Sequence, residues 1–172
     1  MVEFIMVNDT EKTENSIRAE LSSNENSRFI AVSIAIFVVI FIYKDSIPTF
    51  LFGWIIGLLV TSLPLFYKSS EAFEKIAYRP NPKWKWFAKI LHISATALEF
   101  NAIALLLYTI SIELALFFFG ITWLIEGIYT SLDIAERKKN FKKRIFKTLL
   151  FIGLQLLFGL SILLYYHFFI SG

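Results

Sequence analysis

Cysteine does not occur anywhere in the 172 residues, which excludes disulfides, thiolate chemistry and cysteine-ligated metals. Aspartate stands only at Asp9, Asp45 and Asp133, so no aspartyl pair is available within the apolar segments. The histidines, His92 and His167, lie near opposite ends of different apolar segments and do not make one metal site. Also missing are a His-Glu-x-x-His helix, a Gly-x-Ser-x-Gly nucleophile elbow and a glycine-rich lysine loop for phosphate. No catalytic residue, metal site or cofactor is therefore expected, and the chain does not read as an enzyme. Glu99 and Glu126 acting as acid and base would leave the substrate undefined. Charge is scarce too: 18% of residues are Asp, Glu, Lys or Arg, against roughly 25% in an ordinary soluble domain.

What fills the chain instead is apolar. Hydrophobic residues reach 56%, with 19 phenylalanines. They form runs such as Ile47–Tyr67 and Leu149–Ile170, each long enough to cross a hydrocarbon core of about 30 Å. The sequence predicts an all-α, polytopic integral membrane bundle of five transmembrane helices. The spans fall at about 29–43, 47–67, 88–110, 114–132 and 149–170. Residues 1–27 read as an acidic N-terminal segment with a short helix over 8–21, and 28–172 as the membrane domain. A secretory signal is not expected, because Glu3, Asp9, Glu11, Glu14, Glu20 and Glu25 occupy the place of a basic start and apolar core.

Local signals punctuate the spans. Ser22–Ser27 reads as a polar linker, and Lys44–Ser46 as a tight turn, with Pro48 suited to the first turn of the next helix. Gly53 and Gly57 form a small-xxx-small pattern that permits close helix approach, and the face of the last span that carries Gly153 and Gly159 is a further candidate helix contact. Ser69 or Ser70 reads as the start of a short interfacial helix that Pro80 ends. Trp84, Trp86 and Phe87, interleaved with lysines, read as an aromatic and basic belt, and His167 beside Tyr165 and Tyr166 as part of an outer one. The long apolar stretch from Trp86 to Leu132 breaks naturally at Ser111-Ile112-Glu113.

Charge sets the expected topology. The stretches 68–89 and 136–147 are both basic, and five-span threading puts them on one side. The positive-inside rule then places the N-terminus and both loops in the cytoplasm, with the C-terminus outside. Failure of the short first span or of the break at Ser111 would reduce the count to four and move the C-terminus inside.

Ionisable side chains inside spans cost about 2.5–3.5 kcal/mol each on insertion scales and mark functional candidates. Glu99 and Glu126 lie equally far, within one residue, from a hairpin turn at about Ile112, which predicts two carboxyls at nearly the same depth; the same arithmetic pairs His92 with Asp133. His92, Thr96 and Glu99 share one helix face, and Thr122, Glu126, Tyr129 and Asp133 share another, so the two stripes are expected to face each other. Asn101 lies off the first stripe, and so points to a different helix contact. Three readings follow. The carboxyls fasten the helices through Thr96, Thr122 and Tyr129; or they bind a proton or cation as a conduction seam; or each faces a different neighbour.

The basic patch Arg137, Lys138, Lys139, Lys142, Lys143 and Arg144 suits anionic lipid headgroups or a soluble cytoplasmic protein. Nucleic acid is not an expected partner, because the basic residues sit beside membrane segments. Two functions remain open. The first is a scaffold, sensor or anchor subunit that forms a homo-oligomer in the bilayer and recruits a cytoplasmic partner. The alternative is an ion or proton channel or transporter subunit using Glu99 and Glu126. The preference for lysine over arginine, with abundant Ile and Phe, points to a bacterial inner (plasma) membrane.

Overall fold

The computed structural model describes residues 9–78, 82–136 and 141–170, with the side chains at 9–16, 18, 19, 77, 78, 82, 133 and 136 outside that description. Every regular element among these residues is helical. In order they are α1 (Asp9–Ile42), a 3₁₀ turn (Lys44–Ser46), α2 (Thr49–Tyr78), α3 (Pro82–Tyr108), α4 (Ile112–Glu136), α5 (Phe141–Gln155), a π turn (Leu156–Leu160) and α6 (Ser161–Phe169). Five helical stretches are long and apolar enough to cross a membrane: Glu20–Ile42, Thr49–Ile76, Lys83–Tyr108, Ile112–Leu132 and Phe141–Phe169.

Helix runs past several expected boundaries. The 34 residues of α1 extend about 51 Å at 1.5 Å per residue, well beyond the roughly 30 Å hydrocarbon core. Ser22–Ser27, expected as a linker, belongs to this helix. Serine and asparagine are poor helix formers, but here they have partners across the bundle: Ser23 Oγ meets Ser70 Oγ at 2.7 Å, and Asn26 Nδ2 donates to Ser69 Oγ at 3.3 Å. Tertiary hydrogen bonds override the local preference. The same bonds correct the expected interfacial helix. Ser69 and Ser70 lie inside α2, which continues unbroken to Tyr78 and carries Pro64 within it; Pro80 is outside the described residues. The last span likewise starts at Phe141, earlier than expected. The break at Ser111 falls where the apolar stretch predicts it. Ser111 Oγ accepts the Leu114 amide at 3.2 Å and donates to Glu113 Oε2 at 2.7 Å, capping α4.

α3 is the hub. It packs against α1 and α2 on one side and against α4, α5 and the π turn on the other. The core joins Ile40, Leu51, Ile55, Leu59, Leu105, Phe119 and Leu163, all essentially buried. Small residues on α3 allow the close approach: Ala88, Ala95, Ala97, Ala102 and Ala104 are each fully buried. The outward faces are apolar as well, with Phe117, Leu124, Ile128 and Leu132 exposed along α4 and Val38, Phe41 and Ile42 along α1. Such surfaces suit lipid and not water.

The two ends of the bundle differ. At one end Trp86 packs on Phe146 (5.6 Å between ring centroids) and Lys75 lies over Trp84 (4.6 Å). Lys85, Lys142 and Lys143 are exposed nearby in the chain. At the other end Phe50 stacks on Tyr166 (5.7 Å), and Tyr108 hydroxyl meets His167 Nδ1 at 3.0 Å. Aromatic groups thus collect at both ends, the arrangement found at membrane interfaces.

Candidate functional site

α1 and α3 both start at the basic end and run in the same direction, and two polar rungs join them at a constant offset of 66 residues. Nearer the basic end, His92 Nδ1 and Asn26 Oδ1 are 2.7 Å apart. Two helical turns deeper, Ser33 Oγ donates to Glu99 Oε1 at 2.7 Å. The equal spacing of seven residues on both helices, about two turns, puts the two rungs on the same face of each. α2 closes the third side: Asn26 Nδ2 donates to Ser69 Oγ, which donates onward to the backbone carbonyl of Ala88 at 2.9 Å.

The bond directions in this row are determined by elimination. Ser69 spends its hydroxyl hydrogen on Ala88, so its oxygen accepts from the Asn26 amide nitrogen. The Asn26 carbonyl oxygen can then only accept, which puts a hydrogen on His92 Nδ1. The row therefore runs from α3 to α1 to α2 and back to α3, tying three helices with every donor used in one sense. Phe29 and Phe66 stack on each other at 5.2 Å and lie T-shaped to the imidazole at 5.8 and 6.0 Å, forming an apolar collar.

Glu99 is 1% exposed. Oε1 has the Ser33 hydroxyl, whereas Oε2 has no hydrogen-bond partner among the described residues. Beyond it, toward the Tyr108 end, Ile40 of α1, Leu51, Ile55 and Leu59 of α2 and Ala102 and Leu105 of α3 are buried in one hydrophobic cluster. The polar seam thus opens toward the basic end and is plugged by hydrocarbon on the other side.

The expected pairing of Glu99 with Glu126 is not what forms. Glu126 is half-buried and accepts from Thr148 Oγ1 of α5 at 3.2 Å, while Thr148 also meets Thr130 of α4 at 2.7 Å. Equal depth does not ensure contact, because azimuth decides it: Glu99 of α3 meets Ser33 of α1, and Glu126 of α4 meets Thr148 of α5. Thr96 and Thr122 do not serve the carboxyls either. Thr96 donates to the His92 carbonyl, and Thr122 to Phe118 and Phe119 carbonyls within its own helix. Tyr129 is 66% exposed. His92 takes Asn26 as its partner, and the Asp133 side chain lies outside the described ones.

A second polar group occupies the opposite face of α3. Asn101, two residues and about 200° beyond Glu99, donates through Nδ2 to the Leu154 carbonyl at 3.0 Å. Trp123 Nε1 donates to Gln155 Oε1 at 2.5 Å. Here the fifth span departs from α-geometry in the π turn, after which Ser161 Oγ donates to the Leu156 carbonyl at 2.6 Å. The departure coincides with Gly159, where an added Cβ would collide with Asn101 Oδ1 and would lie 2.7 Å from Phe119 Cζ. Gly53, Gly57 and Gly153, by contrast, have nothing within 4 Å of a built Cβ. Within the chain Gly159 makes the close helix contact; the other three face outward.

In the basic patch, Lys142 and Lys143 are exposed and Arg144 is half-buried, while Arg137, Lys138 and Lys139 lie outside the described residues. Among the described residues no group of three or more His, Asp or Glu side chains is placed to hold a metal ion.

Asn26, Ser33 and Gln155 carry much of this polar framework with no role expected from the sequence, and Ser69, expected only as a helix start, joins them. One signal was present. Ser33 is the only non-aromatic polar residue between Phe29 and Tyr43, and an isolated hydroxyl in an apolar run marks the face that meets another polar group. These features define an all-helical membrane protein with a polar seam inside a hub-centred bundle. No protein-family model, curated protein or solved structure matches the chain.

Proposed function

We propose that the protein is a multi-pass scaffold, sensor or anchor subunit that self-associates in the bilayer and presents its basic end to a soluble partner. The observation that carries this reading is the outward placement of Gly53 and Gly57. Both are exposed, and apart from their own stretch of helix backbone no atom of the described residues lies within 4 Å of a built Cβ. A pattern that permits close helix approach is thus left unused inside the subunit and remains open to a second copy. The basic end lies in the cytoplasm by the positive-inside rule, with the C-terminus outside. Lys142, Lys143 and Arg144 there meet anionic headgroups or a soluble protein. The membrane is the bacterial inner membrane, in keeping with the lysine-rich, Ile- and Phe-rich composition.

The test exploits the absence of cysteine. A single Gly57→Cys substitution in native membranes is expected to yield a disulfide-linked dimer on oxidation, and Gly57→Leu to lower the dimer fraction of the unmodified chain. A Gly57→Cys protein that stays monomeric while a lipid-facing cysteine on α4 cross-links would overturn the assignment of this face. A pulldown through the basic end that returns only lipid and the chain itself would remove the soluble partner.

One observation favours the second reading, an ion or proton channel or transporter subunit: the unpartnered Oε2 of Glu99 at membrane depth. Against it stands the apolar plug between Glu99 and the far end. Proton and cation flux in liposomes separates the two. Flux that Glu99→Gln abolishes, with folding and assembly intact, selects conduction; no flux under an imposed potential and pH gradient selects the scaffold.

A further inference from the structure

We propose that Glu99 is a proton-binding site served from the basic end of the bundle only, through the His92–Asn26–Ser69 row. The proposal goes beyond the scaffold reading and does not depend on self-association.

Burial and geometry carry it. Glu99 sits nine residues before Tyr108 in the numbering, about 14 Å inside that end of α3 at 1.5 Å per residue. At such depth an isolated charge is costly and needs a partner. The partner present is the Ser33 hydroxyl, which satisfies one oxygen and leaves Oε2 without any. A proton on Oε2 removes the charge without displacing a side chain, and Ser33 continues to donate to Oε1. Uptake is then the balanced step carboxylate plus H⁺ to carboxylic acid, with the proton drawn from the aqueous phase at the basic end.

The route is asymmetric. From that end the polar groups in sequence are the Ser23–Ser70 hydroxyl pair, then Asn26, Ser69 and His92, then Thr96, then Ser33 and Glu99. On the other side Ile40, Leu51, Ile55, Leu59 and Leu105 are buried together in one hydrophobic cluster. His92 has its Nδ1–H committed to Asn26, which leaves Nε2 as the nitrogen able to take and pass a proton.

The charged groups bearing on His92 come from α1 and α5. α1 contributes Glu25 and α5 contributes Lys147, both acting electrostatically on His92. α2 contributes the hydroxyls of Ser69 and Ser70, and Glu126 of α4 faces Thr148 instead. Around Glu99 itself the influences are burial and the Ser33 hydroxyl. One proton therefore decides the charge of the rung that joins α1 to α3.

The experiment uses the full chain in liposomes with infrared difference spectroscopy. A Ser46→Cys substitution in the turn between α1 and α2, labelled with an impermeant maleimide, reports orientation and allows one orientation to be removed. The expected result is a carboxylic-acid C=O band that is absent in Glu99→Gln and that shifts in Ser33→Ala. The band follows the pH of the compartment at the basic end. Asn26→Leu slows its response about tenfold, the kinetic equivalent of one hydrogen bond. Hydrophobic carbodiimide provides a second measurement on the unmutated chain: it attacks neutral carboxyls in apolar surroundings, and mass spectrometry is expected to find Glu99 modified. A spectrum without a Glu99-dependent acid band, together with no carbodiimide adduct at Glu99 at acid or alkaline pH, would overturn the site. A band that follows the opposite compartment, or that responds equally fast in Asn26→Leu, would overturn the route.

Discussion

Replacing Gly159 with alanine tests the contact on which the second half of the bundle depends. The new Cβ would stand 2.8 Å from Asn101 Cγ and 2.7 Å from Phe119 Cζ, and would collide with Asn101 Oδ1. None of the three is the free end of a flexible chain: Asn101 is fixed by its bond to the Leu154 carbonyl, and Phe119 is 1% exposed. Forcing a methyl into a packed site costs about 1–3 kcal/mol. Displacing the Asn101 amide loses a hydrogen bond worth about 0.5–1.5 kcal/mol. The better helix propensity of alanine offsets up to about 1 kcal/mol. The expected net effect is a destabilisation of about 1–3 kcal/mol, or a fall in Tm of roughly 2–12 °C at 2–4 °C per kcal/mol for a chain of this size.

Gly153→Ala in the same span is the internal control. It has open space around the built Cβ, so it is expected to be neutral or to stabilise by about 0.5–1 kcal/mol. Thermal unfolding in detergent micelles, followed by loss of helical circular dichroism or by aggregation, gives both values under one condition. The double variant Gly159→Ala/Asn101→Ala is expected to recover stability relative to the sum of the singles, because the truncated side chain no longer opposes the methyl. If Gly159→Ala melts with Gly153→Ala, the close approach of the π turn to α3 is wrong.

Trp123→Phe removes the indole N–H and leaves Gln155 Oε1 buried without a donor, a loss of about 1–3 kcal/mol that chemical denaturation in micelles reads directly. Ser33→Ala is expected to cost about as much, because it orphans the remaining oxygen of Glu99, whereas Glu126→Gln, half-buried with a threonine donor, is expected to change stability by less than about 0.5 kcal/mol; equal losses in the two variants would contradict the unequal burial of the carboxyls. Tyr108→Phe gives up the hydroxyl bond to His167, so hydrogen exchange near Ser161–Phe169 is expected to quicken by about the factor for one hydrogen bond of ~1 kcal/mol. Unchanged exchange there would show that the bond contributes nothing to holding the last helix.

Much of the architecture was legible from one dimension. Uninterrupted apolar length identified five membrane-capable helices, because a hydrocarbon core of about 30 Å demands that length and no soluble amphipathic helix needs it. The α3–α4 break was legible at Ser111, where a capping hydroxyl and an acidic residue interrupt the apolar stretch. Helix ends within polar stretches were not. Ser22–Ser27 and Ser69–Ser70 carry local signals for linker and helix start, yet each lies inside a long helix because the two stretches hydrogen-bond to each other. A single-chain pattern records the preference of each stretch and not the partner that overrides it.

The polar site divides along the same line. That Glu99 and His92 are special followed from residue type and depth, since ionisable groups inside a span are costly wherever they point. Residue spacing also fixed which residues share a helix face. Which neighbour that face meets was decided by tertiary packing alone. Glu99 meets Ser33 of α1 and Glu126 meets Thr148 of α5, and the Asn101 face receives the π turn at Gly159. The physical reason is geometric: periodicity sets rotation about one helix axis and hairpin length sets depth along it, but the azimuth at which two axes meet depends on side-chain volumes contributed by several helices at once.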